Sequence, residues 1–516
     1  MYSDSDPEKV RSWGYGERED IRDRRKSDVD RYFIHTRRRS SVHTELDIKK
    51  FFQVTSPSRP LDLENENDRK YYIDFSTIRG TQVVEELRDR ITFFSPDDPT
   101  CQLFTGHIGC GKSTELRRLE SELKQEGFHV VYFESSQDLE MGDVDIGDIL
   151  LAIARRVSES LMALDEEIHL EQPKGLQKLL RGAVKLLQTE IDFSAEASLP
   201  GIGQVSASTE GNFSAEVGIP GIGQVTANNE EGVSLVALGI GKISAKTRNS
   251  PELRSKLREY LEPRTTNILD AINHELIEPA KVKLQQIGKK GLAVIVDNLD
   301  RVWSKPTAWG RSQPEYLFID RGEQLRQLNC HVIYTMPLSL IFSNEFSRLT
   351  SRFGTDPIVL PMIPVMQRDG SQLPEGMALM RQMVLARAFR DLSESERLDK
   401  LPEIFDRRET LDLLCHMSGG HVREVLRLLN DWIVKERKFP LSIRGLEEVL
   451  KQKRNQMILA IDDNEWELLR QVKQRQQVIG HEGYEVLLRS MFVYEYRDSD
   501  GSWFDVNPIL ATSGKL

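Results

Sequence analysis

The sequence has no run approaching the roughly 18 apolar residues that a membrane-spanning helix needs. Its opening, Met1-Tyr2-Ser3-Asp4-Ser5-Asp6, lacks the apolar core of a secretory leader. The reading is of a soluble, cytoplasmic chain with no stable membrane span. Cysteine is scarce: Cys101, Cys110, Cys330 and Cys415 lie far apart and form no CxxC pair. This excludes a disulfide framework and a cysteine-based zinc site, and it fits a reducing compartment. Positive charge is not in excess, because the formal net charge is -11. A chain coated in basic residues is thereby excluded, although a local basic face stays open. What is present, 39% hydrophobic and 29% charged residues over 516 positions, is the composition of an ordinary folded protein. Its length corresponds to roughly two to four domains.

Residues 1–58 mix charges of both signs, as in Arg22-Asp23-Arg24-Arg25-Lys26 and Arg37-Arg38-Arg39, and hold few apolar residues. Such a polyampholyte is expected to be a flexible, solvated arm. The arginine triplet is also suited to touching nucleic acid or anionic lipid. From Tyr71 the pattern becomes periodic, with a helix predicted over 81–91 on the stripe Val83, Val84 and Leu87. Short apolar runs at 102–105, 129–133, 292–296, 332–335 and 358–360 have the character of buried parallel strands, separated by helical stretches. That alternation predicts an α/β fold with a parallel sheet.

One stretch breaks the alternation. The segment from Phe193 through Pro200-Gly201 to Ala207 recurs from Phe213 through Pro220-Gly221 to Ala227, and a worn third copy starts at Val233. Alternating residues around a Pro-Gly turn predict a β-hairpin repeated two or three times, inserted over 190–247. It is either a surface decoration or an element for self-association or membrane contact, since such hairpins pair edge to edge. Residues 366–460 read as a helical lid. Residues 461–516 combine helices with a hairpin, Met491 to Tyr496 and Trp503 to Val506, which suggests a winged-helix-like module.

The chemistry lies in Gly106-His107-Ile108-Gly109-Cys110-Gly111-Lys112-Ser113, followed by Thr114. It matches G-x-x-x-x-G-K-[ST] at every fixed position, after a predicted strand and before a predicted helix at 114–123. Glycines let the backbone amides curl round phosphates, and the helix N-terminus favours negative charge. Lys112 is placed to reach β and γ phosphates, and Ser113 to ligate Mg²⁺. This makes 59–365 a P-loop ATPase core. The strand Leu292 to Val296 delivers Asp297 as the magnesium-side acid. Asn298 follows where a water-polarising glutamate commonly stands, and an amide cannot act as a base. Asp300 is the next candidate for that role, so hydrolysis is expected to be slow or dependent on assembly. Three positions carry a functional reading beside a plain one. Thr335 is a γ-phosphate sensor or a strand terminus. Arg352 is an arginine finger for an adjacent subunit or a surface arginine. Arg423 swings onto the phosphates from the lid or forms a helix-face salt bridge. No N/T-K-x-D stretch specifying guanine occurs, which favours ATP over GTP.

From Ile78-Arg79-Gly80, through the glycine-rich loop and Val294-Ile295-Val296-Asp297-Asn298-Leu299-Asp300-Arg301, to Ser351-Arg352-Phe353 and Gly419-Gly420-His421-Val422-Arg423-Glu424, the chain resembles the AAA+ and STAND ATPases. This is the branch with origin-recognition and signal-transducing members, and the Asp297 segment resembles the KAP proteins. The resemblance spans roughly 70–435. It implies five parallel strands, a helical lid, Arg79 near the adenine and nucleotide-driven homo-oligomerisation. Three functional readings follow: an ATP-dependent switch in bacterial signalling or defence with its effector on a separate chain, a DNA-binding ATPase that loads or remodels partners, and a nucleotide-binding scaffold with little turnover. The C-terminal residues Arg470, Lys473, Arg475, Arg489 and Arg497 alternate with acids and make no basic stripe, which puts DNA second.

Overall fold

The computed structural model describes residues 47–164, 173–188, 216–219, 222–226, 232–304, 310–478 and 483–516. Apart from Asp47, all of them fall in one contact unit, Ile48–Leu516. The apolar runs become strands. β1 (Cys101–Gly106) and β2 (His129–Glu134) precede the insertion, which holds a short antiparallel pair, β3 (Glu216–Ile219) and β4 (Ile222–Thr226). After it come β5 (Leu292–Asp297), β6 (His331–Thr335) and β7 (Ile358–Leu360). Five of these form one parallel sheet in the order β2-β5-β6-β1-β7.

Each central strand is apolar on both faces because both are covered. Successive side chains point to opposite sides. Ala293 and Ile295 therefore join Phe104, Val84, Leu87 and Leu119 in one core, while Val294 and Val296 join Val131, Phe133, Leu150 and Ile153 in the other. The helix after β1, Lys112–Gln125, covers the first face, and the helix Ile146–Met162 covers the second. Asp145 caps the latter in a reciprocal box with Asp148, which satisfies free amides at its start.

Two expectations need correction. The arm was read to run to residue 58, yet Ile48–Val54 is a helix and Phe51 is 2% exposed. Phe51 packs near Phe439, at 5.9 Å between ring centroids, and the Thr55 hydroxyl and carbonyl both accept from the Asn430 amide. This apolar segment gave the end of the arm a surface to bury. The rest of the arm, 1–46, lies outside the described residues. The third copy of the repeat is a helix, Gly232–Thr247, rather than a hairpin. It has lost the Pro-Gly turn, and Val236, Ile240 and Ile243 are spaced to pack on one side against Leu176, Leu180 and Leu187 of the helix Lys174–Gln188. The second copy contains β3 and β4, with Val217 opposite Val225 and Ile219 opposite Ile222. The first copy lies outside the described residues.

Beyond β7 the helices Pro374–Ala388, Arg408–Met417, Val422–Glu436 and Ile443–Ile458 occupy the region read as a lid. The C-terminal region has helices Asp463–Arg475 and Tyr484–Arg489, then the antiparallel pair β8 (Val493–Asp498) and β9 (Gly501–Val506). This hairpin is not free-standing. Tyr494, Tyr496 and Trp503 are buried in the same core as Val84 and Leu116, and the Met362 amide donates to the Glu495 carbonyl at 3.2 Å. Among the described residues no helix is long and apolar enough to cross a membrane.

Candidate nucleotide-binding site

The loop from Gly106 to Ser113 joins the C-terminal end of β1 to the helix that starts at Lys112. Its turns use conformations that glycine tolerates. Gly109 has φ +91°, and a Cβ there would meet His421 Cε1 at 2.8 Å and Arg423 Cβ at 2.9 Å. The helix Val422–Glu436 and its cap residue thus sit directly on the loop. Their contacts are specific: the Arg423 amide donates to the Gly109 carbonyl at 3.2 Å, and His421 Nε2 bonds the Ile108 carbonyl at 2.9 Å. His421 Nδ1 accepts from the Glu424 amide at 2.9 Å, which caps the lid helix and fixes the Nε2–H tautomer. Burial, with Arg423, Arg427 and Lys112 nearby, pushes His421 down to about 3, so it stays neutral.

His107 is braced from the opposite end of the chain. Its Nε2 accepts from the Glu495 amide of β8 at 2.8 Å, and burial lowers it to about 3. Tyr494 stacks on His421 with centroids 5.7 Å apart, and the Tyr496 hydroxyl donates to the Gly419 carbonyl at 2.8 Å. The loop is therefore held by the sheet, the start of the helix Val422–Glu436 and the C-terminal hairpin together.

Lys112 is 5% exposed. Its ammonium donates to the carbonyls of Gly106 and His107, both at 2.8 Å, and pairs with Asp300 at 2.9 Å. Burial pulls its pKa down, but Asp300 and other neighbours more than offset this and the net shift is upward. Asp297, at the end of β5, accepts from the Tyr132 hydroxyl and from the Asn298 amide, each at 2.7 Å. Asn298 itself is in the left-handed region, φ 67°, and lines the cleft. Ser113 and Thr114 line the cleft from the first turn of the helix. The cleft continues past Arg79, Tyr72 and Phe75 to Pro57–Leu61, Met383, Arg387 and Leu426.

Arg79 lies beneath the loop, 2% exposed, and donates to the Cys110 carbonyl at 2.7 Å. Cys110 is itself buried, with its thiol 3.8 Å from the Leu360 carbonyl. Of the sequence candidates, Gly106, His107, Asp297, Thr335 and Arg352 fall outside the cleft lining. The Thr335 hydroxyl is fully buried and accepts from the Leu299 amide at 2.9 Å, so it pins the turn after β5. Arg352, on the helix Phe346–Phe353, is paired with Glu323 at 3.0 Å on the surface.

The residues fit a bound polyphosphate on the chain's own geometry. Among the described residues, the amides of Gly109, Gly111, Lys112 and Ser113 have no acceptor. Arg79 Nε, a donor, is buried without a partner. Burial and the charges of Arg301 and Arg427 push Arg423 downward, a crowding of cations that an anion relieves. Ser113 is the first-turn hydroxyl that a magnesium ion would use, with Asp297 behind it. Among the described residues no cluster of three or more His, Cys, Asp or Glu is placed to hold a metal alone. The loop, the helix behind it and the parallel sheet make this a P-loop NTPase fold.

Sequence reasoning missed four contributors: His421 as a brace, the stretch Pro57–Leu61, the β8 contact to His107, and Glu134. Glu134 had a visible signal, since it ends the apolar run of β2 as Asp297 ends that of β5.

No family model matches the chain, and no curated relative matches it. Solved structures similar to it include the Aeropyrum pernix ORC2 protein in ADPNP–ADP complexes, at 12% identity and TM-score 0.34, covering 84% of this chain and 90% of that one. The Walker-type ATPase paby2304 of Pyrococcus abyssi is 11% identical with TM-score 0.32, over 87% of this chain and 100% of its own. Cdc6p from Pyrobaculum aerophilum is 11% identical with TM-score 0.31, over 90% and 96%.

Proposed function

We propose that the chain binds ATP with magnesium at Gly106–Ser113 and works as a nucleotide-dependent switch of the AAA+/STAND type. The observation that supports this is the shared grip on one loop. The lid reaches it through His421 and Arg423, and the C-terminal hairpin through Glu495. A polyphosphate in the loop displaces Lys112 from Asp300 and offers Arg423 a counter-charge, so occupancy is felt by both outer elements. Bound magnesium would neutralise β- and γ-phosphate charge. Arg352 sits on the surface, 40% exposed, in a position suited to a second subunit. Assembly and a partner on a separate chain belong to this reading.

The test is binding of a fluorescent ATP analogue together with light scattering in ATP and in ADP. Wild type should bind with magnesium and change its assembly between the two nucleotides, and Lys112→Ala should weaken binding by about tenfold or more, as expected for losing a charge-assisted phosphate contact. A protein that binds no nucleotide, or that Lys112→Ala leaves unaffected, refutes the site. A monomer in every condition refutes the assembly.

A further inference from the structure

The Asp297-Asn298 pair leaves open which group takes the proton of the attacking water, and the strand register singles out one of the carboxylates in and beside the cleft. Asn298 has no basic group. Asp297 has each oxygen engaged, one by the Tyr132 hydroxyl and one by its neighbour's amide. Asp300 gives one oxygen to the Lys112 ammonium at 2.9 Å and its other oxygen is buried without a partner, so it stays a second carboxylate beside the site. Glu115 bonds the Tyr72 hydroxyl at 3.1 Å and lies 3.7 Å from Arg79. Glu134 lines the same cleft, is half-buried, and its side chain makes no hydrogen bond or ion pair among the described residues.

Its placement comes from β2. The strands pair in parallel with Glu134 opposite Asp297, so both residues stand at the same C-terminal edge of the sheet. Val131 and Phe133 point into the core on the far face. Tyr132 and Glu134 therefore share the face toward the helix Lys112–Gln125. Tyr132 demonstrates the direction: its hydroxyl reaches Asp297, and Arg117 of that helix lies 3.5 Å from its ring centroid. Glu134 is one step of the same face further toward the loop.

We propose that Glu134 is the general base of ATP hydrolysis in this chain, taking the role that Asn298 cannot fill. The proposal rests on the nucleotide reading above. A water oxygen attacks the γ-phosphorus as one of its protons passes to a Glu134 carboxylate oxygen. The bond from the γ-phosphorus to the β–γ bridging oxygen breaks, and ADP leaves with that electron pair. Glu134 then returns the proton to phosphate or solvent. The base comes from a neighbouring strand end rather than from the residue after the magnesium-side acid, which accounts for an asparagine there in a hydrolysing enzyme.

The experiment compares wild type, Glu134→Gln and Glu134→Asp in full-length protein, measuring affinity for a fluorescent ATP analogue and phosphate release from Mg·ATP. Glu134→Gln should bind within about threefold of wild type and lose about 10²- to 10⁴-fold in phosphate release, the range a positioned base contributes. Glu134→Asp, which keeps the carboxylate, should fall between the two. Phosphate release by Glu134→Gln within about threefold of wild type overturns the proposal. So does loss of nucleotide binding in Glu134→Gln, and so does a wild type that binds ATP and releases no phosphate. A wild type that binds no ATP removes the nucleotide reading itself, an outcome distinct from these.

Discussion

Replacing Asp300 by alanine takes one of three acceptors from the Lys112 ammonium and leaves the two carbonyls of Gly106 and His107. Lys112 and Asp300 are 5% and 4% exposed at the side chain, so water does not screen the pair. Removing one partner of a buried pair costs about 3–5 kcal/mol, because the remaining charge is stranded. With two of the ammonium's donors still satisfied, the lower end applies, about 3 kcal/mol. A unit of this size moves by about 1–2 °C per kcal/mol, extrapolating the trend with chain length, so Asp300→Ala should melt about 3–6 °C below wild type without nucleotide. Bound phosphate supplies the missing negative charge, so Mg·ATP should raise the variant's melting temperature by more than it raises that of wild type. The net upward shift of Lys112 means that its contribution is fully present below the ordinary lysine range and is lost only as pH rises through the higher folded value. Calorimetry at neutral pH therefore sees the whole effect. A ligand-free melting temperature within about 1 °C of wild type, or a nucleotide shift no larger than wild type's, would refute the reasoning.

Glu495 is fully buried, one of its oxygens is unpartnered, and burial pushes it up to about 7. A carboxyl raised above its unfolded value contributes stability below that value and loses it as pH climbs to the folded one. Glu495→Gln should thus flatten the fall in stability between about pH 4.5 and 7, gaining about 1–3 kcal/mol over wild type at the alkaline end, read as melting temperature against pH; parallel curves would contradict this. His421→Ala removes the helix cap and the brace on Ile108, at about 1 kcal/mol for the cap. It should weaken the fluorescent ATP analogue by about fivefold or more in titration, and unchanged affinity would show that the brace does not set the loop.

How much of this could be read from the residues varies with the range of the contact. The strands and the phosphate loop were legible because both are local: an apolar run bounded by breakers, and glycines at fixed spacing before a lysine. The strand ends were short by a residue at several places, and at β2 that residue was Glu134, which carries the new proposal. Over Gly232–Thr247 the decayed repeat suggests a hairpin, whereas the apolar spacing of Val236, Ile240 and Ile243 suits the helix that forms. Thr335 ends its strand as expected, but only the neighbouring turn shows that its hydroxyl is taken by Leu299. His107, His421 and Glu495 could not be joined from sequence, since nothing periodic links a loop to a strand 388 positions away.

That last separation has a consequence for how the protein is made. During synthesis the phosphate loop leaves the ribosome long before the strand that holds its histidine. A chain ending before Val493 has neither the Glu495 amide for His107 nor the Tyr496 hydroxyl for Gly419. The bracing of the loop is thus complete only once β8 has been made, long after the loop itself.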